Sequence, residues 1–87
     1  MSISVHYFAA AKAAAGTSQE LIEDVPATLA DLIALLGSRH AGMTDAGLSL
    51  AEVLTQCSFL VDGMRRDQDA ALEGASRVDV MPPFAGG

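Results

Sequence analysis

Arg77-Val78-Asp79-Val80-Met81-Pro82-Pro83-Phe84-Ala85-Gly86-Gly87 ends the sequence, and its two halves obey different physics. From Arg77 to Met81 side chains alternate, Val78 and Val80 to one side, Asp79 and Met81 to the other. That period of two predicts a strand with one buried face. Pro82 and Pro83 then fix φ and hold the preceding residue extended. Gly86 and Gly87 carry no Cβ, so their backbone can approach another surface closely and thread a narrow slot. Stretched out, Pro82 to Gly87 reaches roughly 20 Å at about 3.3 Å per residue. This is long enough to place a terminal carboxylate in another protein's buried pocket. The remainder of the chain reads as a scaffold that presents this segment.

The scaffold begins with a second alternating stretch. Ile3, Val5 and Tyr7 point one way, and Ser4, His6 and Phe8 the other, so Ser2 to Phe8 reads as a strand. Ala9 to Ala15 is almost pure alanine, the best helix former, and Gly16 can cap it. A run this short gains little from propensity alone and must be held by its neighbours. Gln19 to Val25 reads as a further strand, ended by Pro26. The main helix follows, opened by Thr28 and Asp31 in a capping-box-like arrangement. Leu29, Leu32, Ile33 and Leu36 make its apolar stripe, and Gly37 is placed to stop it. Arg39 to Gly47 reads as a loop. Ser49 and Glu52 open another short helix, with Leu50, Val53 and Leu54 as its apolar side. Cys57 to Val61 is a strand, Asp62-Gly63 a turn and Met64 to Asp67 a short return strand. Leu72-Glu73-Gly74 makes another turn before the closing strand. Strands and helix share one core, which gives an α+β class with the main helix across one sheet face.

Composition limits the functions available. Eighty-seven residues make one domain, and 51% hydrophobic residues can form a compact core. Five basic residues against eleven acidic ones leave a net charge of −6, which argues against nucleic acid or an anionic membrane surface as partner. It suits an acidic module steered toward a basic surface. Cys57, the single cysteine, excludes an internal disulfide and reads as a small buried apolar residue. No stretch approaches a membrane span, and the start lacks the pattern of a signal peptide. A cytoplasmic location is expected. His6 reads as a sheet-face residue and His40 as loop surface. No metal-ligand spacing and no glycine-rich phosphate loop stand out. The chain is expected to be no enzyme by itself.

The ending Pro82-Pro83-Phe84-Ala85-Gly86-Gly87 resembles the sulfur-carrier proteins of the ubiquitin-like superfamily, most closely the MoaD family, the small subunits of molybdopterin synthase. Phe8-Ala9-Ala10-Ala11-Lys12 with Gly16 looks like that family's early Phe-Ala-x-x-Arg…Gly segment. Lys12 stands where the family usually has arginine, and Met81 where it often has an aromatic residue. The resemblance implies a β-grasp fold, residues 1–81, with a mixed sheet whose last strand lies beside the first at its centre. Residues 82–87 would form a flexible tail. It also implies that an E1-like adenylating enzyme (MoeB type) joins Gly87 to AMP using ATP and magnesium, with no cofactor bound by the chain itself. A sulfur donor would then leave a thiocarboxylate on Gly87. The tail, through Pro82, Pro83, Phe84, Ala85 and Gly86, would thread the active site of a large subunit (MoaE type). There the sulfur would pass to a pterin precursor of the molybdenum cofactor, with the catalytic side chains on the large subunit. Similar carriers serve thiamine or cysteine biosynthesis, and a β-grasp module with an inert tail is the remaining alternative.

One further expectation concerns partner binding. If the first and last strands are neighbours, Phe8 and Met81 meet on the open side of the sheet near the tail. With Lys12 they form a candidate partner interface, since an exposed apolar patch usually marks one.

Overall fold

The computed structural model describes residues 2–40 and 49–83. Eight elements follow in order: β1 (Ile3–Tyr7), α1 (Ala9–Ala15), β2 (Gln19–Ile22), α2 (Leu29–Arg39), α3 (Leu50–Leu54), β3 (Ser58–Val61), β4 (Met64–Arg65) and β5 (Arg77–Met81). The strands form one sheet in the order β2-β1-β5-β3-β4. β1 and β5 run parallel, and the other pairs are antiparallel, so the sheet is mixed. Val5 pairs with Val78 and Tyr7 with Val80 at the sheet centre. The parallel pairing forces everything between β1 and β5 into a crossover, and the helices fill it on one face.

That face is the core. Ile3, Val5, Tyr7, Val78, Val80, Phe59 and Val61 from the strands join one cluster with Leu29, Leu32 and Leu36 of α2. Ala11 and Ala14 of α1 and Leu50, Val53 and Leu54 of α3 complete it. Each fully buried leucine contributes about 1.5–3 kcal/mol of transfer free energy. The apolar stripe read on α2 is thus the side it buries, with Ile33 only half-buried at its margin.

The caps follow the sequence. Thr28 Oγ1 accepts the N–H of Asp31 at 3.2 Å. Ser49 Oγ accepts the N–H of Glu52 at 3.3 Å and donates to its carboxylate at 3.2 Å. α2 has two further orphan donors, and the chain before β5 satisfies them: Leu29 N–H bonds to Ala70 O at 2.9 Å and Ala30 N–H to Gln68 O at 2.8 Å. Gly16 ends α1 with φ 76°, in the left-handed region.

Several readings are corrected by tertiary contacts. Gly37 does not stop α2, which continues to Arg39. A Cβ at Gly37 would lie 3.1 Å from Ala51 Cβ, so the glycine is there for the close approach of α2 and α3. The helix ends instead at His40, whose extended backbone breaks the helical path while its N–H bonds to Leu36 O. β2 stops at Ile22 rather than Val25, and β3 begins at Ser58 because Cys57 belongs to the end of α3. The Cys57 thiol donates to Val53 O at 3.2 Å, and burial pushes it up to about 11. The expected loop over 39–47 lies outside the described residues apart from Arg39 and His40.

Asp62-Gly63 makes the predicted turn, with φ of 50° and 84°. Asp62 also has a second role. Its carboxylate accepts the N–H groups of Ser76 at 3.0 Å and Arg77 at 2.9 Å, fastening the start of β5 to the β3–β4 hairpin.

Candidate functional site: the root of the tail and the open sheet face

β5 is held on both sides, by β1 and by β3, up to the pair Ser58–Met81. The next residue, Pro82, has no N–H to continue the ladder and is buried, whereas Pro83 is exposed. The chain therefore leaves the sheet from its central strand at an anchored point. Phe84, Ala85, Gly86 and Gly87 lie outside the described residues.

Beside this exit stands Phe8. It is one step beyond the Tyr7–Val80 pair in the parallel register, which sets it level with Met81. Phe8 is 36% exposed, and Met81 is half-buried. Phe8 is also the N-cap of α1, with no side-chain cap hydrogen bond. Serine, threonine, asparagine or aspartate at such a position stabilises a helix by about 0.5–2 kcal/mol relative to an apolar residue. The following residue, Ala9, has φ 50°, a left-handed conformation that is strained for any residue with a Cβ. An exposed ring thus occupies a capping position next to a strained backbone, so local stability is not what selects it. Lys12, exposed on α1, lies one turn further on, and its N–H bonds to Phe8 O.

The rest of the open face carries groups not singled out from the sequence. In the sheet register His6 faces Asp79, and Asp79 faces Leu60, which faces Arg65 on β4. Asp79 is only 9% exposed, and Arg77 Nε donates to its Oδ1 at 2.7 Å. Most acidic side chains were expected to be solvated, and Asp79 departs from that because β1 and β3 flank it. The signal in the sequence was the charged residue at the centre of the Arg77–Met81 strand.

The histidines take different places. His6 is half-buried on the open face, with Nε2 2.9 Å from Ser4 Oγ, as a sheet-face residue. No carboxylate lies at ion-pair distance from it among the described residues, so the Ser4–His6 pair has no orienting acid. His40 is not free loop surface. Its Nε2 lies 2.8 Å from Glu20 Oε2, and its ring packs edge-on against Tyr7 at 5.9 Å. Glu20 also accepts the Tyr7 hydroxyl at 3.1 Å. Burial first, then the Glu20 charge, push the Tyr7 hydroxyl far above its ordinary range and keep it protonated. This cluster fastens the end of α2 to β1 and β2 and does not adjoin the tail.

Among the described residues no group of three or more His, Cys, Asp or Glu side chains is placed to hold a metal ion. No described helix is long and apolar enough to cross a membrane. A groove of about 550 Å³ lined by Val25, Pro26, Leu72 and Ala75 lies near the start of β5, away from its exit.

A five-stranded mixed sheet with parallel β1 and β5 at its centre, crossed on one face by α2, is the β-grasp architecture of ubiquitin-like proteins. The chain belongs to the ThiS family, whose model matches residues 5–87, and so to the ThiS/MoaD-like sulfur carriers. A carrier domain of this kind is not itself catalytic. Among solved structures the chain is similar to SAMP1 from Haloferax volcanii, at 22% identity over 100% of both chains with a TM-score of 0.73. It is similar to a putative molybdopterin converting factor, subunit 1, from Pyrococcus furiosus, at 24% identity over 97% of this chain and 99% of that one, TM-score 0.67. It is also similar to the Haloferax volcanii HVO 2177 protein, at 25% identity over 100% of this chain and 87% of that one, TM-score 0.69. No curated protein matches the chain.

Proposed function

We propose that the chain carries sulfur as a thiocarboxylate on Gly87 and donates it to molybdopterin synthesis as the small subunit of molybdopterin synthase. The observation that carries this reading is the ending itself. The family match runs through Gly86 and Gly87, and the segment follows Pro82-Pro83 at the exit of the central strand. The Pro-Pro pair favours the molybdopterin carriers over the thiazole carriers of the same family.

The chemistry explains the division of labour. A carboxylate is anionic and has a poor leaving group, so nucleophiles do not attack it. Adenylation of Gly87 by an E1-like partner with ATP and magnesium releases pyrophosphate and makes AMP the leaving group. A sulfur donor then displaces AMP and leaves the thiocarboxylate, a good nucleophile at neutral pH. The large subunit supplies the catalytic side chains, and the glycines let the tail reach them. Phe8, Met81 and Phe84 are the apolar contacts we assign to the partner surface, with Lys12 at its margin.

Reconstitution tests the acceptor. The thiocarboxylated chain is supplied in parallel with the molybdopterin synthase large subunit and its cyclic pyranopterin monophosphate, with a thiazole synthase system, and with a cysteine synthase system. Dithiolene formation in the first alone supports the proposal. Sulfur passing instead to thiazole or to cysteine overturns it in favour of the sister pathway.

A further inference from the structure

Asp79 is a charged residue buried on the face of the sheet that no helix of the core cluster covers. It lies at the middle of the central strand, between His6 on β1 and Leu60 on β3. Its Oδ1 takes the Nε–H of Arg77 at 2.7 Å. Since no buried side-chain oxygen among the described residues lacks a partner, Oδ2 keeps its contact with solvent. The Arg77 side chain is 48% exposed, and Asp79 is its one ion-pair partner among the described residues. A guanidinium has five N–H donors, so two terminal nitrogens remain in a planar fork. The other charges at this face are Arg65, exposed on β4 across from Leu60, and Asp62, whose carboxylate is already held by the N–H groups of Ser76 and Arg77.

Building on the carrier reading, we infer that the Arg77–Asp79 pair is a specificity plug in the docking face. The occupant we assign to that face is the adenylating enzyme, carrying a carboxylate opposite Arg77 and an N–H or O–H donor opposite Asp79. The adenylating enzyme is chosen because every carrier function needs activation first, whichever acceptor follows. The physical reason lies in desolvation. A protein docking on Phe8, Met81 and Leu60 must strip water from the pair between them. An apolar partner would leave Oδ2 and the guanidinium fork unsatisfied, a cost that rejects it. A partner with matched groups forms a bidentate arginine–carboxylate contact where the site is driest. Although the whole chain carries −6, the group the pair recognises on the partner is thus acidic. The steering of an acidic module toward a basic surface and the reading of the docked partner are separate steps.

The test uses the full chain and the E1-like adenylating enzyme encoded in the same genome, with ATP and magnesium. Adenylation of Gly87 is followed by pyrophosphate exchange, and binding by calorimetry. Arg77→Glu is expected to raise both the Kd and the KM for the carrier by about 100-fold, with kcat within about twofold. Arg77→Lys, which keeps the charge and loses the fork, should raise them about three- to tenfold. Arg77→Gln sets no like charge beside Asp79 and guards against a folding defect, with an expected loss between the two. Kd and KM within twofold of the parent for Arg77→Glu and Arg77→Gln, while Phe8→Asp weakens binding, would overturn the plug and leave the carrier reading standing. A parent chain that neither binds nor is adenylated would overturn both.

Discussion

Val78 and Val80 leave β5 on one side, and Arg77, Asp79 and Met81 leave it on the other. The first pair is fully buried against the helices, and the second set holds an ion pair and a half-buried thioether beside the tail exit. These five residues share one backbone and one register, so the difference is chemical. On the core face every side chain is covered by the chain itself, and a change there acts on folding. On the open face the chain leaves apolar and charged groups in contact with water, and a change there acts on association. Stability and binding should therefore separate cleanly between the two faces.

The largest effect should come from the core face. Leu32→Ala removes a fully buried side chain of α2 and should lower the unfolding free energy by about 2–5 kcal/mol, read by urea denaturation. A loss under about 1 kcal/mol would mean that the helix face is loosely packed.

Phe8→Asp probes the opposite face and should split the two properties in opposite directions. Aspartate at the N-cap of α1 can accept from the helix's first N–H groups, so stability should rise by about 0.5–1 kcal/mol. Affinity for the tail-receiving partner should fall at least about tenfold, or roughly 1.4 kcal/mol. Weakened folding with unchanged affinity would place Phe8 with the core instead.

Gly37→Ala should destabilise by about 1 kcal/mol or less, because the added methyl meets Ala51 Cβ at 3.1 Å and more than offsets the gain in helix propensity. The double change with Ala51→Gly should recover part of the loss in a mutant cycle.

The smallest effect is a pH dependence. Burial raises the Cys57 thiol in the folded chain to about 11, from an ordinary value of 9.0. The folded state then holds its proton more tightly than the unfolded state, so stability is fully present below pH 9. It declines as pH rises from there through about 11. Alkylation at pH 8 should be slower in the folded chain than in the denatured one.

Much of the fold was legible because it is written in local periods. Ile3, Val5 and Tyr7 alternate, Leu29, Leu32 and Leu36 repeat at helical spacing, and Thr28 and Ser49 cap the helices they precede. What was not legible depends on residues distant in sequence. Gly37 reads as a stop until Ala51 is seen against it. His40 reads as loop until Glu20 and Tyr7 are seen around it. Asp79 reads as solvated until β1 and β3 are seen on either side. The parallel neighbourhood of β1 and β5, which sets Phe8 level with Met81, came from family resemblance and not from periodicity. The ending was the most specific signal, since Pro-Pro and Gly-Gly at fixed offsets encode chemistry directly.

The central claim is that Gly87 carries sulfur, and mass spectrometry tests it most directly. The chain is purified after co-expression with its genomic neighbours and measured intact and as fragments. Exchange of one oxygen for one sulfur, localised to the C-terminal fragment, is the predicted result. Localisation matters because oxidation of any of the four methionines adds nearly the same mass. A plain carboxylate at Gly87 that persists when an E1-like enzyme, ATP and a sulfur source are supplied would contradict the account.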